Sequence, residues 1–382
     1  MNDSNIALYF HIPFCKQKCA YCDFASYAGR EADIPRYCDA LAQEMTDAAD
    51  RWPGRTVRSV FFGGGTPTLL HGEHIAALLD IARQSFAVAS DIEITMEGNP
   101  GALARQNAER YRAAGVNRFS LGAQAMQPRL LEGLGRIHRW RDVEEGVAML
   151  REAGFCNINL DLMFGLPGQT ESDWSDTLQA ALALAPEHLS CYALQVEEGT
   201  ALAARLATEE KSEALPDEDE ERGMYALARR VLSGAGYAQY ELSNFAKPGR
   251  ECRQNLTYWA RGDYLGFGCA AHSLVGDLRW GNTELLPDYL AAMESGASPV
   301  AEETRIGAAE ARFEALMLGL RLTGGVSSAE FARRYGCTIE ELWGERLGPL
   351  CESGLVAWAG ERLRLTERGM DLQNAVLVAL MD

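Results

Sequence analysis

Three cysteines, Cys15, Cys19 and Cys22, stand at C-x-x-x-C-x-x-C spacing in the stretch CKQKCAYCDF. Thiolates so spaced on a short loop suit a soft metal or an iron–sulfur cluster, yet a structural zinc and a complete cluster each normally take four protein ligands. No further cysteine follows at that spacing. Cys38 falls in the helical pattern IPRYCDALAQEM, where a thiol serves as a small apolar core residue. Three thiolates would hold three irons of a [4Fe–4S] cluster and leave the fourth open to a reactant. Zinc, or three unrelated thiols, are the alternatives on these residues alone.

Other residues with chemistry follow apolar runs. GGGTP (63–67) offers glycines that either make a flexible turn or let backbone groups approach a ligand closely. It lacks the G-x-G-x-x-G spacing of a dinucleotide-binding turn. Glu97 in EGNP, Gln124 in SLGAQAM, Arg136 in LGRIH and Asp161 in NLDLMFGLPGQ add a polar set, in which an arginine can pair a carboxylate through two bonds. Tyr9 and Tyr21 flank or lie within the cysteine segment and can line a ring or pack in the core.

These residues need elements to position them. Runs 6–10, 57–62, 91–97, 117–121, 156–162 and 188–194 are short and β-rich, and amphipathic helical patterns follow most of them. In 72–86, Ile75, Leu78, Leu79 and Ala82 form one buried stripe. Thr170 as N-cap with Asp173 three residues on starts another helix. Strand–helix alternation predicts an α/β fold with a parallel sheet covered by helices, an incomplete barrel or a doubly wound sheet, with chemistry at the carboxyl ends of the strands. From about 300, three helical patterns and a two-stranded wing around Gly360 predict a small C-terminal domain.

An apolar fraction of 47% and a charged fraction of 24% are those of a globular chain. The formal charge of −18 argues against nucleic acid as a partner, because phosphate contacts need a basic face. The acidic stretch EEKSEALPDEDEE (209–221) reads as a solvated segment. No signal peptide and no apolar run long enough for a membrane span are evident, so the expected location is cytoplasmic, with the ten cysteines as reduced thiols or metal ligands.

The cysteine stretch resembles the cluster motif of the radical S-adenosylmethionine (SAM) superfamily. There, the amino and carboxylate groups of SAM chelate the open iron, and reductive cleavage of the sulfonium yields a 5′-deoxyadenosyl radical. LYFHIPFC, FFGGGTP, EGNP, GVNRFSLGAQ, LGRIH, DLMFGLPGQ, YELSNFAKPG and NLTYW extend the resemblance to the HemN/HemW branch over nearly the whole chain. It implies an incomplete (β/α)6 barrel at 1–235, a linking segment with the Asn-x-x-Tyr-Trp motif at 236–300, and a HemN-type C-terminal domain at 301–382. It implies a [4Fe–4S] cluster on Cys15, Cys19 and Cys22. SAM would lie among Gly64, Gly65 and Thr66 at its methionine end, Glu97 at the ammonium or ribose, Asp161 at the ribose hydroxyls, Arg136 at the carboxylate, Gln124, and Tyr9 and Tyr21 on the adenine side.

Two functions compete within the branch: oxygen-independent coproporphyrinogen III dehydrogenase, and a haem chaperone that hands haem to respiratory proteins. Phe24 replaces a further cysteine of the dehydrogenase pattern and only 14 residues precede Cys15, both favouring the chaperone. The chaperone's His-Asn-x-x-Tyr-Trp motif has Gln254 in place of histidine, with Asn255, Tyr258 and Trp259 intact. An amide is a weak iron ligand, so His272, Cys252 or Cys269 become alternatives. His11 is expected to support the cluster loop, and His71, His74 and His188 to lack partners. Haem or porphyrin, haem-accepting proteins (a membrane-associated acceptor among them) and an electron donor are the implied partners.

Overall fold

The computed structural model describes residues 4–208 and 214–381; of the acidic stretch, 209–213 lie outside the described residues. A twelve-stranded sheet runs through the molecule. Its strands are β1 (Asn5–Ile12), β2 (Thr56–Gly64), β3 (Ala87–Gly98), β4 (Arg118–Gln124), β5 (Ile158–Phe164), β6 (His188–Ala193), β7 (Ala238–Gln239), β8 (Asn244–Ala246), β9 (Tyr264–Phe267), β10 (His272–Val275), β11 (Leu278–Asn282) and β12 (Val300–Arg305). The spatial order is β12-β11-β10-β9-β1-β2-β3-β4-β5-β6-β8-β7. The strands β1 to β6 pair in parallel, each beside the one before it in the chain. The sheet does not close on itself, so the expected incomplete barrel is the fold.

The helices form where the apolar stripes require. Ile75, Leu78, Leu79 and Ala82 of α2 (Gly72–Ser85) are all buried against the sheet. Thr170 and Asp173 form the capping box that opens α6 (Glu171–Ala183), each accepting from the other's backbone N–H. Asp217 caps α8 (Glu218–Gly234), whose four acidic residues in the first turn complement its dipole.

The segment 236–300 does more than link. It adds β7 and β8 antiparallel at one edge, while β9 joins β1 in parallel at the other and β10 and β11 extend that edge antiparallel; β12, which starts at the segment's last residue, completes the edge. Half-buried Glu44 of α1 (Ile34–Arg51) holds this edge by accepting from Tyr289 Oη at 2.7 Å, the Gly268 N–H at 2.8 Å and Asn282 Nδ2 at 2.6 Å. The C-terminal domain has helices α11 (Ala308–Gly319), α12 (Ser328–Tyr335) and α13 (Ile339–Glu352), and a wing of Val356–Ala359 and Arg362–Leu365 turning at Gly360, whose φ is 63°. A short strand at Val326–Ser327 completes this sheet, and two further helices, Glu367–Asp371 and Gln373–Leu380, follow. Its core is separate, around Leu316, Phe331, Trp343 and Leu363.

Candidate functional site at the carboxyl ends of the strands

Residues 15–24 leave the end of β1 and fold over the sheet's carboxyl edge. A two-residue pairing of Phe14–Cys15 with Tyr27–Ala28 closes the loop, and the Ala20 N–H donates to Leu134 O at 2.9 Å. His11 Nε2 meets Ala25 O at 2.8 Å and its Nδ1 meets Tyr9 Oη at 3.1 Å, so His11 braces the loop. Burial lowers the His11 pKa, which keeps the ring neutral.

One string of polar side chains ties two of the cysteines together. Thr66 Oγ1 donates to Cys15 Sγ at 3.5 Å, and Asn99 Nδ2 donates to Thr66 Oγ1 at 2.8 Å. Arg136 Nη2 donates to Asn99 Oδ1 at 3.0 Å, and Arg136 Nη1 donates to Cys19 Sγ at 3.6 Å. Arg136 also bonds the Gly122 carbonyl. All three cysteines are free thiols; Cys15 is buried, Cys19 and Cys22 half-buried.

The glycines allow close approach. A Cβ on Gly64, whose φ is 103°, would lie 2.6 Å from the His11 ring, and one on Gly65 would lie 2.7 Å from Phe14 O and 3.0 Å from Cys15 Sγ. A Cβ on Gly63 would meet the Tyr9 ring at 3.0 Å and Glu97 Oε2 at 3.1 Å. Gln124 ends β4 in the left-handed region at φ 64°, where an ordinary side chain is strained. Its amide and the Arg136 guanidinium converge over Gly122, at 2.9 and 2.8 Å from where a Cβ would be.

Deeper in the lumen, Asp161 accepts from Ser120 Oγ at 2.9 Å and Asn159 Nδ2 at 2.8 Å. Burial, with Asp161 close by, pushes the Glu97 carboxyl up to about 8, against the Gly64 N–H and Arg118. Burial also raises Asp161. Two carboxyls in one poorly solvated lumen resist joint ionisation, and a cation entering between them would relieve that repulsion. Tyr21 stays neutral, because burial raises its hydroxyl.

Residues 9–181 match the radical SAM superfamily and residues 307–372 the HemN C-terminal domain. A protein named heme chaperone HemW in Bacillus subtilis is 37% identical over 98% of this chain and 98% of its own length. The chain belongs to the HemW family of radical SAM proteins. HemW-named relatives in Mycobacterium tuberculosis (38% identical, 98% of this chain and 94% of that one) and Escherichia coli (34%, 97% of each) agree. Coproporphyrinogen III oxidase (HemN) from Escherichia coli superposes with a TM-score of 0.86 over 99% of this chain and 90% of its own at 24% identity, which shows the shared fold.

Membership of the family implies a [4Fe–4S] cluster and SAM. The donor set fits: three unpaired thiols share one loop, and hydroxyl and guanidinium donors on two of the sulfurs suit thiolate ligands. Among the described residues, no group of three His, Cys, Asp or Glu side chains is arranged to hold a single metal ion. Sequence reasoning missed Asn99 and Gly63, although both sit inside quoted motifs. Asn99 follows Glu97 in EGNP, and its role appears only when β3 and the turn after β2 lie side by side.

The HemW-family motif residues sit at the opposite end of the barrel. Gln254 is the second residue of α9 (Arg253–Trp259) and is 1% exposed. Its Oε1 accepts from Ser59 Oγ at 2.7 Å and its Nε2 donates to Tyr258 Oη at 2.8 Å, so both ends of the amide are engaged. Asn255 and Trp259 are half-buried, and the Arg321 guanidinium covers the Trp259 ring at 4.2 Å. Cys252 and Cys269 are buried, and burial pushes both thiols up to about 12; His272 is exposed. His188 corrects the expectation that it lacks a partner. It is fully buried, with Nδ1 at 2.6 Å from Asn159 Oδ1 and Nε2 at 2.9 Å from Tyr240 Oη. Among the described residues no helix is long and apolar enough to cross a membrane.

Proposed function

We propose that this chain is a haem chaperone: it binds haem and passes it to haem-dependent proteins, while carrying a [4Fe–4S] cluster on Cys15, Cys19 and Cys22 with SAM at the open iron. The observation that carries this reading is the near-full-length identity, across both domains, to several proteins named heme chaperone HemW. The chemistry of the site supports it. Arg136 would pair the SAM carboxylate, Glu97 the ammonium or ribose, and Asp161 the ribose hydroxyls. Gly64, Gly65 and Thr66 would receive the methionine end, Gln124 would close the shell, and Tyr9 and Tyr21 would flank the adenine. Bound there, the cluster supplies an electron for SAM cleavage; this chain's residues position the cofactor and shield it from water.

The division into a cofactor-binding barrel at 1–235, a segment at 236–300 and a C-terminal domain at 301–382, and a cytoplasmic location, belong to the same reading. So do haem-accepting proteins, membrane-associated ones included, and an electron donor as partners. The second reading, a coproporphyrinogen III dehydrogenase, draws on the HemN-like fold. Phe24, 60% exposed where that enzyme's pattern has a cysteine, weighs against it.

Anaerobically reconstituted protein titrated with haemin should bind near one equivalent and transfer it to an apo-haem protein. Efficient decarboxylation of coproporphyrinogen III by the same preparation would overturn the chaperone reading in favour of the enzyme.

A further inference from the structure

Two large apolar side chains stand in solvent on the segments that carry the thiols. Phe24, two residues after Cys22, is 60% exposed, and Ile137 is 65% exposed. Ile137 follows Arg136, whose Nη1 reaches Cys19 Sγ at 3.6 Å. The two segments are locked together, because the Ala20 N–H donates to Leu134 O at 2.9 Å and Gln17 Nε2 donates to Gly135 O at 3.3 Å. Single exposed apolar residues are ordinary, but two on adjoining segments over one thiol site mark a contact surface.

Positive charge gathers on the same loop. The chain has 36 lysines and arginines, of which only four are lysines, and two of those, Lys16 and Lys18, stand between Cys15 and Cys19. Both are exposed. Lys18 Nζ donates to Phe24 O at 3.1 Å, and neither lysine is ion-paired among the described residues. Asp23 is the one carboxylate in 15–24, so outside its thiols the loop is net positive in a chain of formal charge −18. An ammonium is a compact charge on a flexible stem, suited to transient encounters, whereas the arginine fork suits fixed pairs.

The loop also lies between the thiols and solvent. Residues 16–26 hold neither helix nor strand, and Lys16, Gln17, Lys18, Asp23 and Phe24 are exposed around half-buried Cys19 and Cys22. Thr66, Asn99 and Arg136 hold the sulfurs from the sheet side. An electron entering from the loop side therefore crosses no layer of secondary structure on its way to a cluster on these thiols.

We propose that Lys16, Lys18, Phe24 and Ile137 form the docking surface for the electron donor, a small acidic flavoprotein whose flavin edge meets Phe24 and Ile137 while its carboxylates meet the two lysines. The proposal rests on the placement of the cluster on Cys15, Cys19 and Cys22, and is independent of haem. One electron leaves the reduced flavin, which is oxidised by one unit, and enters the cluster, which is reduced by one; no bond forms or breaks at the cluster. The charge pattern selects the donor. A cationic carrier would be attracted to most faces of so acidic a chain and would not be directed to the cluster. An anionic carrier is repelled by those faces and drawn where the local charge is reversed, which focuses its encounters on a productive face. The apolar pair gives the complex a desolvated centre inside a charged rim. Electron-transfer encounters are small, below about 1,200 Å² in total, an area that two short segments can centre.

The test uses anaerobic, cluster-loaded, full-length protein, with purified flavodoxin as the probe and dithionite as a reductant that needs no docking. Cluster reduction is followed by stopped-flow absorbance and binding of oxidised flavodoxin by calorimetry, and iron and sulfide content is measured in every variant. With flavodoxin, the parent's rate constant should fall as salt rises. Lys16→Glu/Lys18→Glu should lower rate constant and affinity at least tenfold, and Phe24→Ser/Ile137→Ser should weaken binding, with cluster content and dithionite reduction as in the parent. Lys16→Glu alone, which spares the Lys18 bond within the loop, should slow flavodoxin reduction severalfold. Arg364→Glu, an equal change of net charge on an exposed residue of the C-terminal wing, should not. Flavodoxin reduction unaffected by the double reversal, or slowed equally by Arg364→Glu, would overturn the surface. Dithionite reduction slowed to the same extent would mean that the lysines act on the cluster rather than on docking, and would overturn it as well. A parent that dithionite reduces and flavodoxin does not would overturn the partner. A parent that holds no cluster would overturn the placement on which the proposal rests, and haemin binding, measured separately, is indifferent to all of these results.

Discussion

Ser59 of β2 donates its hydroxyl to Gln254 of α9 at 2.7 Å, and this bond seals the end of the barrel lumen remote from the cysteine loop. Gln254 passes the contact on to Tyr258 at 2.8 Å, which places a polar layer across the floor. Gln254→Ala leaves the Ser59 and Tyr258 hydroxyls unpaired in a buried setting, so it should destabilise the protein by about 1–3 kcal/mol. Haem affinity should not change, because the amide is engaged by the protein. Gln254→His should keep one of the two bonds and lose less. Denaturant unfolding followed beside a haemin titration checks both; a gain of haem binding confined to Gln254→His would show that the floor is a ligand site after all.

Asn99 is the hinge of the string joining Thr66 on Cys15 to Arg136 on Cys19. Asn99→Ala removes the acceptor that orients the guanidinium and the donor that orients the hydroxyl. Hydrogen bonds to a charged group are worth about 1.5–3 kcal/mol. SAM affinity should therefore fall at least tenfold while three cysteines still hold iron. Equilibrium SAM binding measured with iron and sulfide content decides this; loss of the cluster itself would mean that the string holds the loop rather than the cofactor.

Gly65 leaves no room for a side chain. Its Cβ would stand 2.7 Å from Phe14 O, 2.9 Å from Ile12 O and 3.0 Å from Cys15 Sγ, and the first two are backbone atoms that cannot rotate aside. Gly65→Ala should displace Cys15 and lower iron and sulfide content well below parent. Gly344→Ala is the control: it lies within α13, where a Cβ would meet nothing within 4 Å, and should stabilise that helix by up to about 1 kcal/mol. Equal cluster content in the two variants would refute the packing argument.

How far the chain could be read in advance follows from where information lies in it. The six parallel strands are nearly continuous apolar runs, each followed by a turn and an amphipathic helix, and this periodicity is local. Thr170 with Asp173 and the turn at Gly360 are local too. The strands β9 to β12 are short, interrupted by Gly266, Gly268 and Gly276, and stabilised by distant partners such as Glu44, so no window of sequence announces them. Asn99 escaped for the same reason: its two partners are 33 and 37 residues away. Gln254 stood out as an odd residue in a motif, but only the packing of α9 against Ser59 shows that its amide faces inward.

Glu97 should give the protein a measurable pH signature. Its carboxyl is raised from an ordinary value of 4.5 to about 8 by burial first and by Asp161 second. Between those values the folded state holds a proton that the unfolded chain has released, so this group's contribution to stability is complete below about pH 4.5 and is lost as pH rises through about 8. Glu97→Gln cannot ionise and should lack that decline. The melting temperatures of parent and variant should therefore converge near pH 5 and separate toward pH 8.5, with the variant the more stable at the higher value. Bound SAM, whose sulfonium and ammonium are cationic, favours the ionised carboxylate and should flatten the parent's decline. Parallel melting profiles across that range would show that Glu97 ionises normally, through water reaching the lumen, and would weaken its assignment to the cofactor's cationic end.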